Sequence, residues 1–323
     1  EFRRVLFRSS INPNNIDGAY PVAGQDNNSQ GFRDNFTNIK VNGTISSDQT
    51  GMNGTGGIAG VKIDDDIATQ NSQLAFSGLV TGTTDVGGLF GVMWRPTLDS
   101  PTQISESYST GSVTGESYVG GIAGYAGVSL TTNSYSTATI HGTQNVGGFM
   151  GQAEYSVFSN DYTSGLILTN GDTVDAVGGF MGGSNNVFIS HSMAVGNLFV
   201  YDNDATGGGI IGNVAGESGV TMEYVYYNDF NGDCTAGGGY EGCYARYSSE
   251  LPGLYYGTTG EAPLDNWNFD EVWSSREDGL PYLQWSSPNI NISTCQDLQN
   301  INNDTSATYT LTQDINCADT INW

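Results

Sequence analysis

The chain has 323 residues, 46 of them glycine, and sets 34 carboxylates against nine Lys and Arg, for a formal net charge of −25. So acidic a surface repels phosphate backbones and argues against nucleic-acid binding. No apolar run reaches the ~18 residues of a membrane-spanning helix, and few Leu and Ala beside many β-branched and aromatic residues point to strands. The length permits two ordinary domains or one elongated array.

Residues 1–10 hold three of the nine bases, Arg3, Arg4 and Arg8, with no starting Met and no apolar segment. They read as vector- or adapter-derived sequence rather than a signal peptide. Residues 11–34, rich in Asn, Gly and Gln with Pro13 and Pro21, read as an N-terminal edge or loop.

Residues 35–229 are organised around one recurring word. It stands as Gly56-Gly57-Ile58-Ala59-Gly60, Gly87-Gly88-Leu89-Phe90-Gly91, Gly120-Gly121-Ile122-Ala123-Gly124 and Gly147-Gly148-Phe149-Met150-Gly151. Two further copies are Gly178-Gly179-Phe180-Met181-Gly182 and Gly208-Gly209-Ile210-Ile211-Gly212. Successive copies begin 31, 33, 27, 31 and 30 residues apart. A period in this range means stacked units, none of which can bury its apolar side alone.

A second word alternates with the first, clearest at Ser107 to Val113 and Ser134 to Ile140, looser at Asp161 to Ile167 and Ser192 to Leu198. Strand alternation splits it into two faces. Ser109, Gly111 and Val113 with their equivalents are small, small and aliphatic, as a narrow interior demands. Tyr108, Tyr135, Tyr162 and Met193 form the other column, with Lys40 at the same place in the first unit. A lysine there predicts that the column faces water or a corner.

The unit from Tyr108 to Gly124, Tyr-Ser-Thr-Gly-Ser-Val-Thr-Gly followed by Val-Gly-Gly-Ile-Ala-Gly, resembles the GLUG motif of bacterial surface proteins. The resemblance covers about two thirds of the chain; Gly207 to Gly212, where three glycines run together, departs from the motif. It implies an all-β, right-handed parallel β-solenoid (β-helix), here of about six coils, and a surface or adhesive role. GLUG repeats also accompany the catalytic part of some IgA-specific zinc metallopeptidases, without being the catalyst.

Residues 230–290 are expected to form an irregular closing segment. The stretch from Trp267 to Leu283 resembles the piece that commonly closes such arrays. Residues 291–323 resemble the truncated start of a further module. Four cysteines fall in two near pairs, Cys234 with Cys243 and Cys295 with Cys317, without metal-ligand spacing. They read as two disulfides, which implies an oxidising, extracytoplasmic compartment.

Catalytic signals are few. Zinc peptidase chemistry needs two His a helical turn apart with a Glu between, and His141 and His191 are the only histidines. No nucleophile motif accompanies either, and both read as surface residues. Paired carboxylates for glycoside cleavage must lie roughly 5–9.5 Å apart; Asp64-Asp65-Asp66 and Asp172 with Asp175 are candidates by sequence proximity alone. Lyase chemistry needs a base, and Arg95 is the sole cation between Lys62 and Arg246. Asp229, Asn231 and Asp233 place oxygen ligands at alternate positions, as in the opening of a calcium loop, but Cys234 and Tyr240 break the pattern. The tyrosines Tyr108, Tyr135 and Tyr162 could bind sugar rings or simply stack from coil to coil.

The sequence therefore predicts a non-catalytic extracellular segment of a bacterial surface protein. Its role is that of a stalk or an adhesive surface toward a glycan or protein, without a cofactor other than a candidate calcium ion. The alternative is a carbohydrate-active β-helix enzyme.

Overall fold

A computed structural model describes residues 35–47, 54–63, 70–95, 98, 101–169, 175–200, 207–214, 219–228, 231–246, 263–275, 280–286, 289–300, 308–315 and 317. Asp64, Asp65, Asp66, Asp172 and Asp229, like residues 1–34, lie outside them. The described residues form a parallel β-solenoid, as the repeat predicts. A 20-stranded sheet and a six-stranded sheet run along the stack. The six-stranded sheet takes one short strand from each glycine-rich copy, and its neighbours pair in register: Val86 with Val119, Val119 with Val146, Val146 with Val177.

Interior rows explain the words. Ile58, Leu89, Ile122, Phe149, Phe180 and Ile210 are fully buried, one per coil, and so are Val86, Val119, Val146 and Val177. Each such side chain contributes roughly 1.5–3 kcal/mol through burial. Phe149 and Phe180 stack at 4.6 Å. The glycines are steric requirements. A Cβ on Gly121 would collide with the Gly148 carbonyl oxygen and the Ser136 hydroxyl, both belonging to the next coil.

A corner of each coil carries a second ladder. Gln73, Glu106, Asn133, Asn160 and His191 occupy the left-handed region, with φ between 44° and 58°. The following residue reaches back one coil. Ser107 Oγ accepts the Leu74 N–H at 3.1 Å, and Ser134 Oγ accepts the Ser107 N–H at 3.1 Å. Asp161 Oδ1 then accepts the Ser134 N–H at 2.8 Å, and Ser192 Oγ accepts the Asp161 N–H at 3.2 Å. Each serine hydroxyl also donates to a carbonyl two residues earlier. Asp161 instead accepts the Ser159 N–H at 3.2 Å through its second oxygen. Its complete burial pushes the carboxyl well above the usual range, partly opposed by those two N–H donors.

The ladder continues past the expected boundary at residue 229. Cys243–Arg246 pairs in parallel with Val225–Asn228, Val225 opposite Cys243. That coil takes 18 residues instead of about 30, with Thr235 still paired to Ile211, and the Cys234–Cys243 disulfide bridges it. Further on, Asn289–Ile292 and Thr308–Leu311 form a separate parallel pair. The helix Cys295–Asn300 lies between them in sequence, capped by Thr294 Oγ1 accepting the Asp297 N–H, and a Cys295–Cys317 disulfide joins the segment. Both disulfides pair as the cysteine spacing predicts.

Candidate functional site

The tyrosine column is as regular as the sequence implies. Tyr108 and Tyr135 stack at 5.0 Å, Tyr135 and Tyr162 at 4.9 Å, each pair within a few degrees of parallel. The column also extends beyond the residues the sequence marked, through Met193 to Tyr226 and Tyr244. Its middle does not face water. Tyr135 is 8% exposed, Tyr162 2% and Met193 0%, because residues 263–275 and 280–286 lie along the array and cover them with Leu264, Trp267, Trp273 and Leu283.

Polar groups hold this strap in register. Trp285 Nε1 donates to the Glu106 carbonyl at 2.7 Å, Trp273 Nε1 to Asn133 Oδ1 at 3.3 Å, and Trp267 Nε1 to the His191 carbonyl at 2.9 Å. All three acceptors belong to left-handed corner residues, so the strap reads one corner in coil after coil. Lys40, which suggested an aqueous column, lies 4.7 Å above the Trp285 ring and donates to its carbonyl at 3.4 Å. Lys40 remains exposed, so its ammonium meets water while it rests on the aromatic face. The expected exposure is thus corrected for Tyr135 and Tyr162, whose rings are packed on each other and on the strap, whereas Tyr108 is half-buried and Tyr244 exposed.

Other residues singled out from the sequence are dispersed. His141 sits in the strand Thr139–Gly142, while His191 stands at a corner, its ring 5.0 Å from that of Tyr224 and its Nε2 3.8 Å from Asp265 Oδ1. Of the candidate calcium ligands, Asn231 is turned to the coil below: its Oδ1 accepts the Leu198 N–H at 3.0 Å and its Nδ2 donates to the Gly196 carbonyl at 2.9 Å. That amide is committed to the backbone, and Asp233 lies exposed beside it. Among the described residues, no three His, Cys, Asp or Glu side chains group at metal-binding distances.

A different cluster emerges on the strands that follow the glycine word. Phe90–Trp94, Ala123–Gly127 and Met150–Ser159 pair in parallel, placing Val92, Tyr125 and Gln152 in one outer row and Trp94, Gly127 and Glu154 in the next. Trp94, Tyr125, Gln152 and Glu154 are half-buried. A Cβ on Gly127 would stand 2.5 Å from Trp94 Cδ1 and 3.2 Å from Tyr125 Cε1, so the two ring edges converge over that glycine. Glu154 is hydrogen-bonded by Tyr125 and receives Gln152 Nε2 at 2.8 Å. Asp85, at a left-handed corner nearby, is 8% exposed, and burial pushes its carboxyl up to about 7. Burial together with the charges of Glu154 and Asp85 raises the Tyr125 phenol beyond its ordinary range. None of these residues belongs to a repeated word, and that irregularity inside a regular array is the one signal by which the sequence marks them.

No protein-family model matches the chain, and no curated protein matches it. Among solved structures it is similar to a protein from Bacteroides ovatus whose crystal structure, at 1.30 Å resolution, is described as that of a "putative immunoglobulin A1 protease". The TM-score is 0.53 at 21% sequence identity, over 78% of this chain and 76% of that one. A likeness at that identity concerns the fold.

Proposed function

We propose that this chain is a non-catalytic, extracellular repeat segment of a bacterial surface protein, of GLUG type, serving as a stalk or adhesive scaffold. The observation that carries this reading is where the regular positions go: valine, phenylalanine, serine and tyrosine rows are all spent on contacts between coils or with the strap. Two disulfides support an oxidising compartment, and the acidic surface suits a solvated, secreted protein. No described helix is long and apolar enough to cross a membrane.

One observation favours a second reading, a carbohydrate-active enzyme. A carboxyl held at about 7, such as that of Asp85, is what a general acid in glycoside cleavage requires. The test is turnover. The chain would be incubated with a panel of polysaccharides and, given the description of the Bacteroides ovatus neighbour, with immunoglobulin A1. New reducing ends and new protein fragments would be measured. The scaffold reading expects neither. Turnover abolished by Asp85→Asn would establish the enzyme reading instead.

A further inference from the structure

Rows that serve stacking repeat their chemistry, as Tyr108, Tyr135 and Tyr162 do, because like side chains at one position support each other from coil to coil. The outer rows around Tyr125 do the opposite. Val92, Tyr125 and Gln152 differ at each coil, as do Trp94, Gly127 and Glu154. Stacking gives no reason for that sequence of residues, yet together they make a definite arrangement. Two aromatic ring edges meet over a glycine that leaves room for them. Beside them a carboxylate is held still by an amide and a phenol.

We infer that this face is a carbohydrate-binding site for an uncharged sugar residue, lying against Trp94 and Tyr125 and donating its hydroxyls to Glu154. The inference rests on the adhesive reading above and gives that reading a ligand class and a location. Aromatic surfaces accept the apolar C–H face of a pyranose. A carboxylate accepts hydroxyl donors strongly, and the Gln152 amide fixes its orientation before the ligand arrives. Charge sets the class: Glu154, on a chain of net charge −25, repels sialic acids and uronic acids. Neutral hexoses and N-acetylhexosamines meet no such penalty.

The test uses the full chain on an array of immobilised neutral, sialylated and uronate-containing glycans, followed by titration calorimetry with the best neutral binder. Neutral glycans are expected to be captured and anionic ones not. Trp94→Ala and Glu154→Gln should each weaken binding about tenfold or more. Phe199→Ala, an exposed aromatic on another strand, should leave it unchanged. Glu154→Gln keeps the shape of the side chain, and its melting curve verifies folding. Absence of capture, capture of anionic glycans alone, or binding indifferent to both variants would overturn the site while leaving the non-catalytic reading intact. Cleavage of a captured neutral glycan would do the reverse.

Discussion

The Tyr162 hydroxyl donates to the carbonyl of Pro281 at 2.8 Å, joining two residues 119 positions apart in sequence. Around that bond the strap covers the column with Trp267, Trp273 and Leu283. Removing the donor alone, in Tyr162→Phe, leaves a buried acceptor without its partner and should cost about 1–2 kcal/mol. Trp273→Ala deletes a fully buried indole and should cost about 3–5 kcal/mol. Hydrogen exchange over residues 263–286 provides the check: protection there should fall further in Trp273→Ala than in Tyr162→Phe.

Two buried carboxyls set a pH dependence. The folded protein raises Asp85 to about 7 and Asp161 above its ordinary range, in both cases through burial. A raised carboxyl favours the fold when protonated, so its contribution is complete below about pH 4 and is lost as pH rises through the folded value. For Asp85 that window runs from about 4 to about 7, with a ceiling of roughly 4 kcal/mol. Thermal melts between pH 4 and 8 should show the melting temperature falling across the window. Asp85→Asn should flatten the slope there and raise stability at pH 8.

Within the serine ladder, Asp161 occupies a place that its neighbours fill with a hydroxyl. Asp161→Asn preserves an acceptor for the Ser134 N–H without a charge to bury. Its NH2, however, faces the Ser159 N–H that Asp161 accepts, so the variant should be less dependent on pH and lie within about 1–2 kcal/mol of the parent above pH 7. A loss of more than about 2 kcal/mol in Asp161→Asn under those conditions would mean that the ionised form is the one the ladder needs.

Gly121→Ala tests the close approach of coils. The added methyl meets the Gly148 carbonyl oxygen and the Ser136 hydroxyl, and the backbone atom has no room to yield. A loss of roughly 3 kcal/mol or more is expected in chemical denaturation, at the upper end for overpacking. By contrast, Gly239→Ala has no atom within 4 Å of the new methyl and should be nearly neutral.

The Cys234–Cys243 disulfide bridges the short coil that follows Val225–Asn228. Replacing both cysteines by serine should cost about 2–3 kcal/mol. Proteolysis should then begin in residues 231–246 and spare the coils before them, a pattern that mass spectrometry of the first fragments would reveal.

Periodicity made the array legible because stacking demands the same residue at the same place, so Val119 and Ile122 announce their burial by recurring. Neither the strap nor the outer cluster repeats. Trp267 and Trp273 pack against residues more than a hundred positions earlier, and no local pattern tells Tyr135 that an indole will cover it. Lys40 misled for the same reason: its partner ring, on Trp285, is 245 residues away. The corner residues were likewise invisible as a set, since Gln, Glu, Asn and His share a backbone angle and not a side chain.

Repeat arrays ordinarily unfold piecemeal, because each unit touches only its neighbours. The strap changes that arithmetic. By binding Lys40 at one end and the His191 carbonyl at the other, with Glu106 and Asn133 between, it ties distant coils to a single ligand that is part of the same chain. Fraying from one end must then wait for the strap to release, so the coils between Lys40 and His191 should open together, as one cooperative unit rather than a row of independent ones.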